Sequence, residues 1–138
     1  MTLDAFVTKY NGRFIDYDGA FGFQCVDLMR QWQVEGLGVP ASSIPPSLYA
    51  KDIFKNFPDG GNKYFTKIKN GPNNMPQKGD IVFWTWYPFK IGWAGHVAIA
   101  SVSWLLGLNT FDQNFPLGSF CKFTLHDYKG CLGWLHPR

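Results

Sequence analysis

A cysteine, a histidine, a carboxylate and an amide in this sequence could together break an amide bond. Cys25 stands in FGFQCVDLMRQW, where a loop rich in glycine and aromatics turns into an apolar-periodic stretch. A thiol in the first turn of a helix meets unpaired N–H groups and the positive end of the helix dipole, which favour the nucleophilic thiolate. The same position also suits a packed core thiol, because free cysteine is among the most buried residue types. Thiol hydrolases bring cysteine and histidine together from separate elements, and His96 opens a different apolar run, GHVAIASV. In TFDQNF a period of two would set Asp112 and Asn114 on one face and Gln113 on the other. Either of the first two could orient an imidazole by accepting its ring N–H, or both could face solvent on an edge strand. Gln24, just before the cysteine, could donate its amide to a developing oxyanion beside the Cys25 N–H. His126 and His136, near a turn and the C-terminus, read as exposed imidazoles with no part in this chemistry.

A second set of ligating types precedes the cysteine. In DYDGAFGFQCVD, counting from Asp16 puts Asp18 third and Asp27 twelfth, the spacing of an EF-hand loop. The loop departs from that pattern, with Ala20 fifth, Phe21 where glycine belongs and aspartate in place of the twelfth glutamate. On the motif alone both a solvated acidic loop and a calcium site stand. The aromatics of FWTWYPFKIGWAGH, ahead of His96, are too dense for simple alternation to bury. Trp86, Tyr87 and Trp93 are therefore expected to line a groove, while Phe83 and Trp84 fit a core equally well.

These groups need elements to position them. Leu3, Phe6, Val7 and Tyr10 recur at helical spacing with Thr2 as a cap. Cys25, Leu28, Met29 and Trp32 repeat the pattern, stopped by Gly36 and Gly38. Leu48, Ile53, Phe54 and Phe57 predict a third helix over SLYAKDIFKNF. Beyond Gln77 the chain reads as strands: GDIVFWTW, GHVAIASVSW, NTFDQNF, FCKFTL and CLGWLH. Helices first and an antiparallel sheet second is an α+β layout, with the boundary near residue 77 dividing two layers of one domain spanning residues 1–138. The register of the hairpin carrying His96 stays open. Strict pairing of the polar residues centres its turn near Trp104 and Leu105, whereas turn chemistry points to Gly107.

Composition narrows the classes. With 46% hydrophobic residues, 18% aromatic and 17% charged, the chain is no disordered polymer, and 138 residues suffice for one real core. Thirteen basic and ten acidic residues leave a net charge of +3 without any basic run, so no nucleic-acid partner is expected. No apolar run is long enough to span a membrane, and MTLDAFVTKYNG is too polar for a signal peptide. Three cysteines cannot all pair within one chain. Cys121 and Cys131, on apparent neighbouring strands, could meet or could be two packed core thiols, and without a CxxC no structural zinc site is expected.

Taken in order, FGFQCVDL, PQKGDIVFW, GHVAIA, TFDQNF and the closing GWLHPR make the sequence from about residue 12 to 138 resemble the CHAP family, cysteine, histidine-dependent amidohydrolases/peptidases that cut peptidoglycan. The resemblance implies a papain-like α+β fold, with N-terminal helices packed on an antiparallel sheet. It implies Cys25 as nucleophile, His96 as base and then acid, Gln24 in the oxyanion hole, and Asp112 as orienter with Asn114 as a second polar contact. It also implies a structural calcium ion on the carboxylates of Asp16, Asp18 and Asp27 and the carbonyl of Ala20, with Gly22 at the position of a further ligand. No organic cofactor is expected, and the chain is expected to be a monomer whose partner is bacterial peptidoglycan. A phage lysin made in the host cytoplasm without a signal peptide, or a component carried on a virion, would fit, as would a catalytic domain cut from a longer protein. Two other readings are a noncatalytic wall-binding domain on the same scaffold and a cysteine hydrolase of another amide.

Overall fold

Thr2 starts the first helix as its sequence position predicts. Its hydroxyl accepts from the Ala5 N–H at 3.1 Å, and α1 (Leu3–Tyr10) then buries Leu3 and Phe6. The computed structural model describes residues 1–19, 22–85 and 94–138. Helix α2 (Cys25–Gln31) runs into one π turn over Trp32–Gly36, and Leu28, Met29 and Trp32 form its buried stripe. Helix α3 (Ala50–Asn56) buries Ile53 and Phe54, with Phe57 closing it. Leu48 does not share that stripe. It precedes the helix, where the 3.6-residue period does not yet apply, and is 84% exposed.

Six strands follow: β1 (Phe65–Lys69), β2 (Ile81–Trp84), β3 (His96–Trp104), β4 (Gly107–Asp112), β5 (Lys122–His126) and β6 (Cys131–Pro137). They form one antiparallel sheet in the order β1-β6-β2-β3-β4-β5. The α+β expectation holds, but the layer boundary lies before residue 77, because β1 already belongs to the sheet. An edge strand needs few apolar residues, and of FTKIK only Phe65 is fully buried, so alternation could not reveal it. Strands β5 and β6 are not neighbours in the sheet, so Cys121 and Cys131 do not meet there, and all three thiols are free.

Alternation along the central strands sends side chains to two apolar layers. Ile81, Phe83, Val97, Ile99, Phe111 and Leu135 join the helical stripes in the main core. Val82, Trp84, Ala98, Ala100, Leu108 and Trp134 form a second cluster on the opposite face. The β3–β4 hairpin pairs Trp104 with Gly107, and its register shifts between Ala100 and Val102 so that Ala100 meets Thr110. A one-residue shift reverses which face a strand presents to its partner. Without it Phe111 would lie opposite Ala100, and Asp112 would point away from the face that carries His96.

Gly133 sits where β6 crosses β1, at φ 148°, and a Cβ there would lie 2.2 Å from the Ile68 carbonyl oxygen. Gly133→Ala should therefore lower stability by about 2 kcal/mol or more, read as a drop in urea midpoint.

Candidate active site

The Cys25 sulfur and the His96 imidazole come from two packed elements. Cys25 is the first residue of α2, half-buried, and α2 packs against β3, whose first residue is His96. Gly95 makes that entry possible. Its φ is 77°, and a Cβ would lie 2.6 Å from the Trp84 carbonyl oxygen and 2.7 Å from Lys51 Cβ. The His96 ring is 1% exposed, and its Nε2 lies 2.6 Å from Asp112 Oδ2. With Nε2 engaged there, Nδ1 is the nitrogen left to face the Cys25 sulfur, whose interaction with the ring helps raise the His96 pKa.

Burial by itself would push the His96 pKa down. The hydrogen bonds and charges of Asp112 and Cys25 outweigh it and lift the imidazole to about 9. Burial likewise works to raise the Asp112 carboxyl, and hydrogen bonds from His126 and His96 override it, holding the group below the usual carboxylate range. Asp112 has no exposed surface. Its Oδ1 accepts from the Thr110 hydroxyl, and its Oδ2 is shared with His126 Nε2 at 2.8 Å.

His126 is thus no bystander, contrary to the sequence expectation. Its position at the end of an alternating strand carries no sign that the ring folds back between Trp84 and Phe115, with centroids 4.6 Å from each. His136 is also partnered, through Nδ1 to Asp80 Oδ1 at 2.6 Å, outside this cluster. Asn114 does not share a strand face with Asp112. Strand β4 ends at Asp112, so its alternation stops there, and Asn114 at φ 63° turns its side-chain carbonyl to the Gly118 N–H at 2.6 Å.

Gln113, given no role by sequence, is a hidden support. Fully buried, it accepts from the Ile15 N–H at 2.6 Å and donates to the carbonyls of Ile15 and Gln24 at 2.8 Å each. The Gln24 N–H donates to Asp27 Oδ2 at 2.9 Å, so the backbone before Cys25 is tied on both sides while Gln24 itself is exposed. Burial pushes both other thiols, Cys121 and Cys131, up to about 12, which leaves them unreactive at neutral pH.

The acidic loop does converge. Carboxylate oxygens of Asp16, Asp18 and Asp27 lie within 4.8 Å of one another, the first two exposed and Asp27 buried. Burial, reinforced by the charges of Asp18 and Asp16, raises Asp27 to about 6 despite the Gln24 N–H. Such crowded oxygen donors fit a hard divalent cation. Gly22 is exposed at φ 73°. Ala20, Trp86, Tyr87 and Trp93 lie outside the described residues.

Known proteins resemble this chain in sequence and in fold. A profile of the CHAP domain matches residues 14–106. Endolysin PlyTW of Staphylococcus phage Twort is 31% identical over 131 residues, covering 88% of this chain and 26% of that protein. The crystal structure of wild type endolysin LysIME-EF1 has a TM-score of 0.75 at 21% identity, covering 99% of this chain and 64% of that one, a likeness of fold. The chain spans about a quarter of the length of the first relative and under two thirds of the second.

Gln113→Leu removes partners from buried backbone groups of Ile15 and Gln24. It should cost about 2–4 kcal/mol in urea unfolding and slow alkylation of Cys25 by iodoacetamide at fixed pH.

Proposed function

The chain belongs to the CHAP domain family, and from that premise we propose that it hydrolyses an amide bond of bacterial peptidoglycan, with Cys25 as nucleophile and His96 as acid and base. The observation that carries this reading is the buried Asp112 carboxylate 2.6 Å from His96 Nε2, which leaves the other face of the imidazole to Cys25. A proton held on His96 beside the sulfur is the charge arrangement that favours thiolate.

In the proposed reaction the Cys25 sulfur attacks the amide carbon, and the oxyanion meets the Cys25 N–H and the exposed Gln24 amide. The C–N bond then breaks as His96 gives its proton to the departing amine, leaving a thioester on Cys25. Water attacks that thioester, His96 takes a proton from it, and the carboxylic acid and the thiol are released. Asp112 keeps the ring oriented and balances its charge throughout. The bacterial wall as substrate rests on the two relatives, both named endolysins. The same steps serve an endopeptidase cutting stem peptide or cross-bridge and an amidase separating sugar from peptide. We place the action at the cell wall. Among the described residues no helix is long and apolar enough to cross a membrane.

We also propose a structural calcium ion on Asp16, Asp18 and Asp27, for which the Ala20 carbonyl would be a further donor and Gly22 would offer its backbone or leave room for a water. The ion would offset three crowded carboxylates and tie the loop before Cys25 to the first turn of α2.

Cys25→Ala should lose on the order of a thousandfold or more in clearing purified cell walls. Undiminished clearing sinks the mechanism and leaves a noncatalytic or differently catalytic domain. Mass spectrometry of fragments from defined peptidoglycan reads the bond, since new peptide amino termini mark an endopeptidase and sugars freed of peptide mark an amidase. For the metal, millimolar Ca2+ should raise the melting temperature of EDTA-treated protein by about 5–10 °C, and Asp27→Asn should abolish the rise. A melting temperature indifferent to both EDTA and Ca2+ would remove the ion from the account.

A further inference from the structure

The proposed reaction uses Cys25, His96, Asp112 and Gln24, and leaves the second imidazole on Asp112 without a task. Asp112 Oδ2 lies 2.6 Å from His96 Nε2 and 2.8 Å from His126 Nε2, while Oδ1 takes the Thr110 hydroxyl. An ionised carboxylate oxygen offers only lone pairs, so both nitrogens facing it must carry protons. The carboxylate has no exposed surface, and a buried charge survives only with enough donors. The His126 side chain is 8% exposed and held by Trp84 and Phe115, so its N–H is aimed and not searching.

We propose that His126 is a positioning residue: its Nε2–H fixes Asp112 Oδ2, keeping that carboxylate ionised and turned to His96, and so sets the imidazole that serves Cys25. This rests on the reading of Cys25, His96 and Asp112 as the reacting set. The groups that face Asp112 are His96 from β3, Thr110 from its own strand, His126 from β5 and Cys121 just ahead of β5, with Cys25 of α2 beyond His96. Without the His126 donor, the Thr110 hydroxyl and His96 would be left to meet the charge against full burial. Asp112 would then take up a proton at higher pH and release its hold on His96.

Two substitutions separate positioning from packing. His126→Phe keeps a ring between Trp84 and Phe115 and removes the donor. His126→Gln places an amide N–H the same number of bonds from Cβ and cannot titrate. His126→Phe should lose about 10- to 100-fold in kcat/KM for wall fragments, the worth of a hydrogen bond to a charged group. The loss should fall in kcat, and the acidic limb of the rate profile should move to higher pH. His126→Gln should recover to within about fivefold of the natural protein, with the limb restored. A His126→Phe variant with unchanged rate and profile overturns the proposal. So do two variants equally slow on an unmoved profile, which would mark a packing role. Should His126→Phe not fold, 15N spectra of the imidazoles decide: a protonated Nε2 on His126 at neutral pH supports the proposal, and a bare Nε2 overturns it. That spectrum needs no turnover, so wall clearing retained by Cys25→Ala would defeat the proposed reaction while leaving the Asp112–His126 contact separately measured.

Discussion

A carboxylate with no exposed surface dictates the arrangement around it. Asp112 cannot keep its charge in the core unless donors reach both oxygens, and it draws two imidazoles and a hydroxyl from three strands to do so. In return it helps, together with Cys25, to lift His96 to a pKa of about 9 against the burial that would lower it. Each member of the cluster is costly alone and tolerable together, which makes the cluster a single unit and ties the ends of β3, β4 and β5 to one geometry.

The residue after Asp112 extends that unit to the sulfur. Gln113 holds the backbone of Ile15 and Gln24, so two consecutive residues at the end of β4 connect the imidazole and the loop entering α2. Helix α2 needs its own apolar stripe against the sheet to complete the approach, and Leu28, Met29 and Trp32 provide it. The other thiols show what the setting contributes. Cys121 and Cys131 sit in surroundings that push them up to about 12, whereas Cys25 sits half-buried beside an imidazole.

Much of this was legible from residue types and periods. The stripes from Leu3 to Tyr10 and from Cys25 to Trp32 mark helices, and apolar runs such as DIVFW and HVAIA mark strands buried on both faces. The failures have definite physical causes. Strand β1 lies at an edge and needs no apolar alternation, so FTKIK passes for a linker. A period of two groups Asn114 with Asp112, but that period holds only while the strand lasts, and β4 stops two residues short of Asn114. Leu48 fits the spacing of a helical stripe but stands before the helix begins at Ala50.

The sequence by itself determined the chemistry on offer: a cysteine at a helix start, a histidine at a strand start, aspartates in a loop and at a strand end, and the apolar patterns that make an α+β fold. Those are properties of residue type and local spacing, which act within a few residues. Only the tertiary structure decided which polar groups meet. A single register shift between Ala100 and Val102 turns Asp112 to the face of His96, and the end of β5 brings His126 onto the same oxygen. Both follow from pairing between distant strands and from the need to satisfy a buried charge, and neither leaves a pattern along the chain.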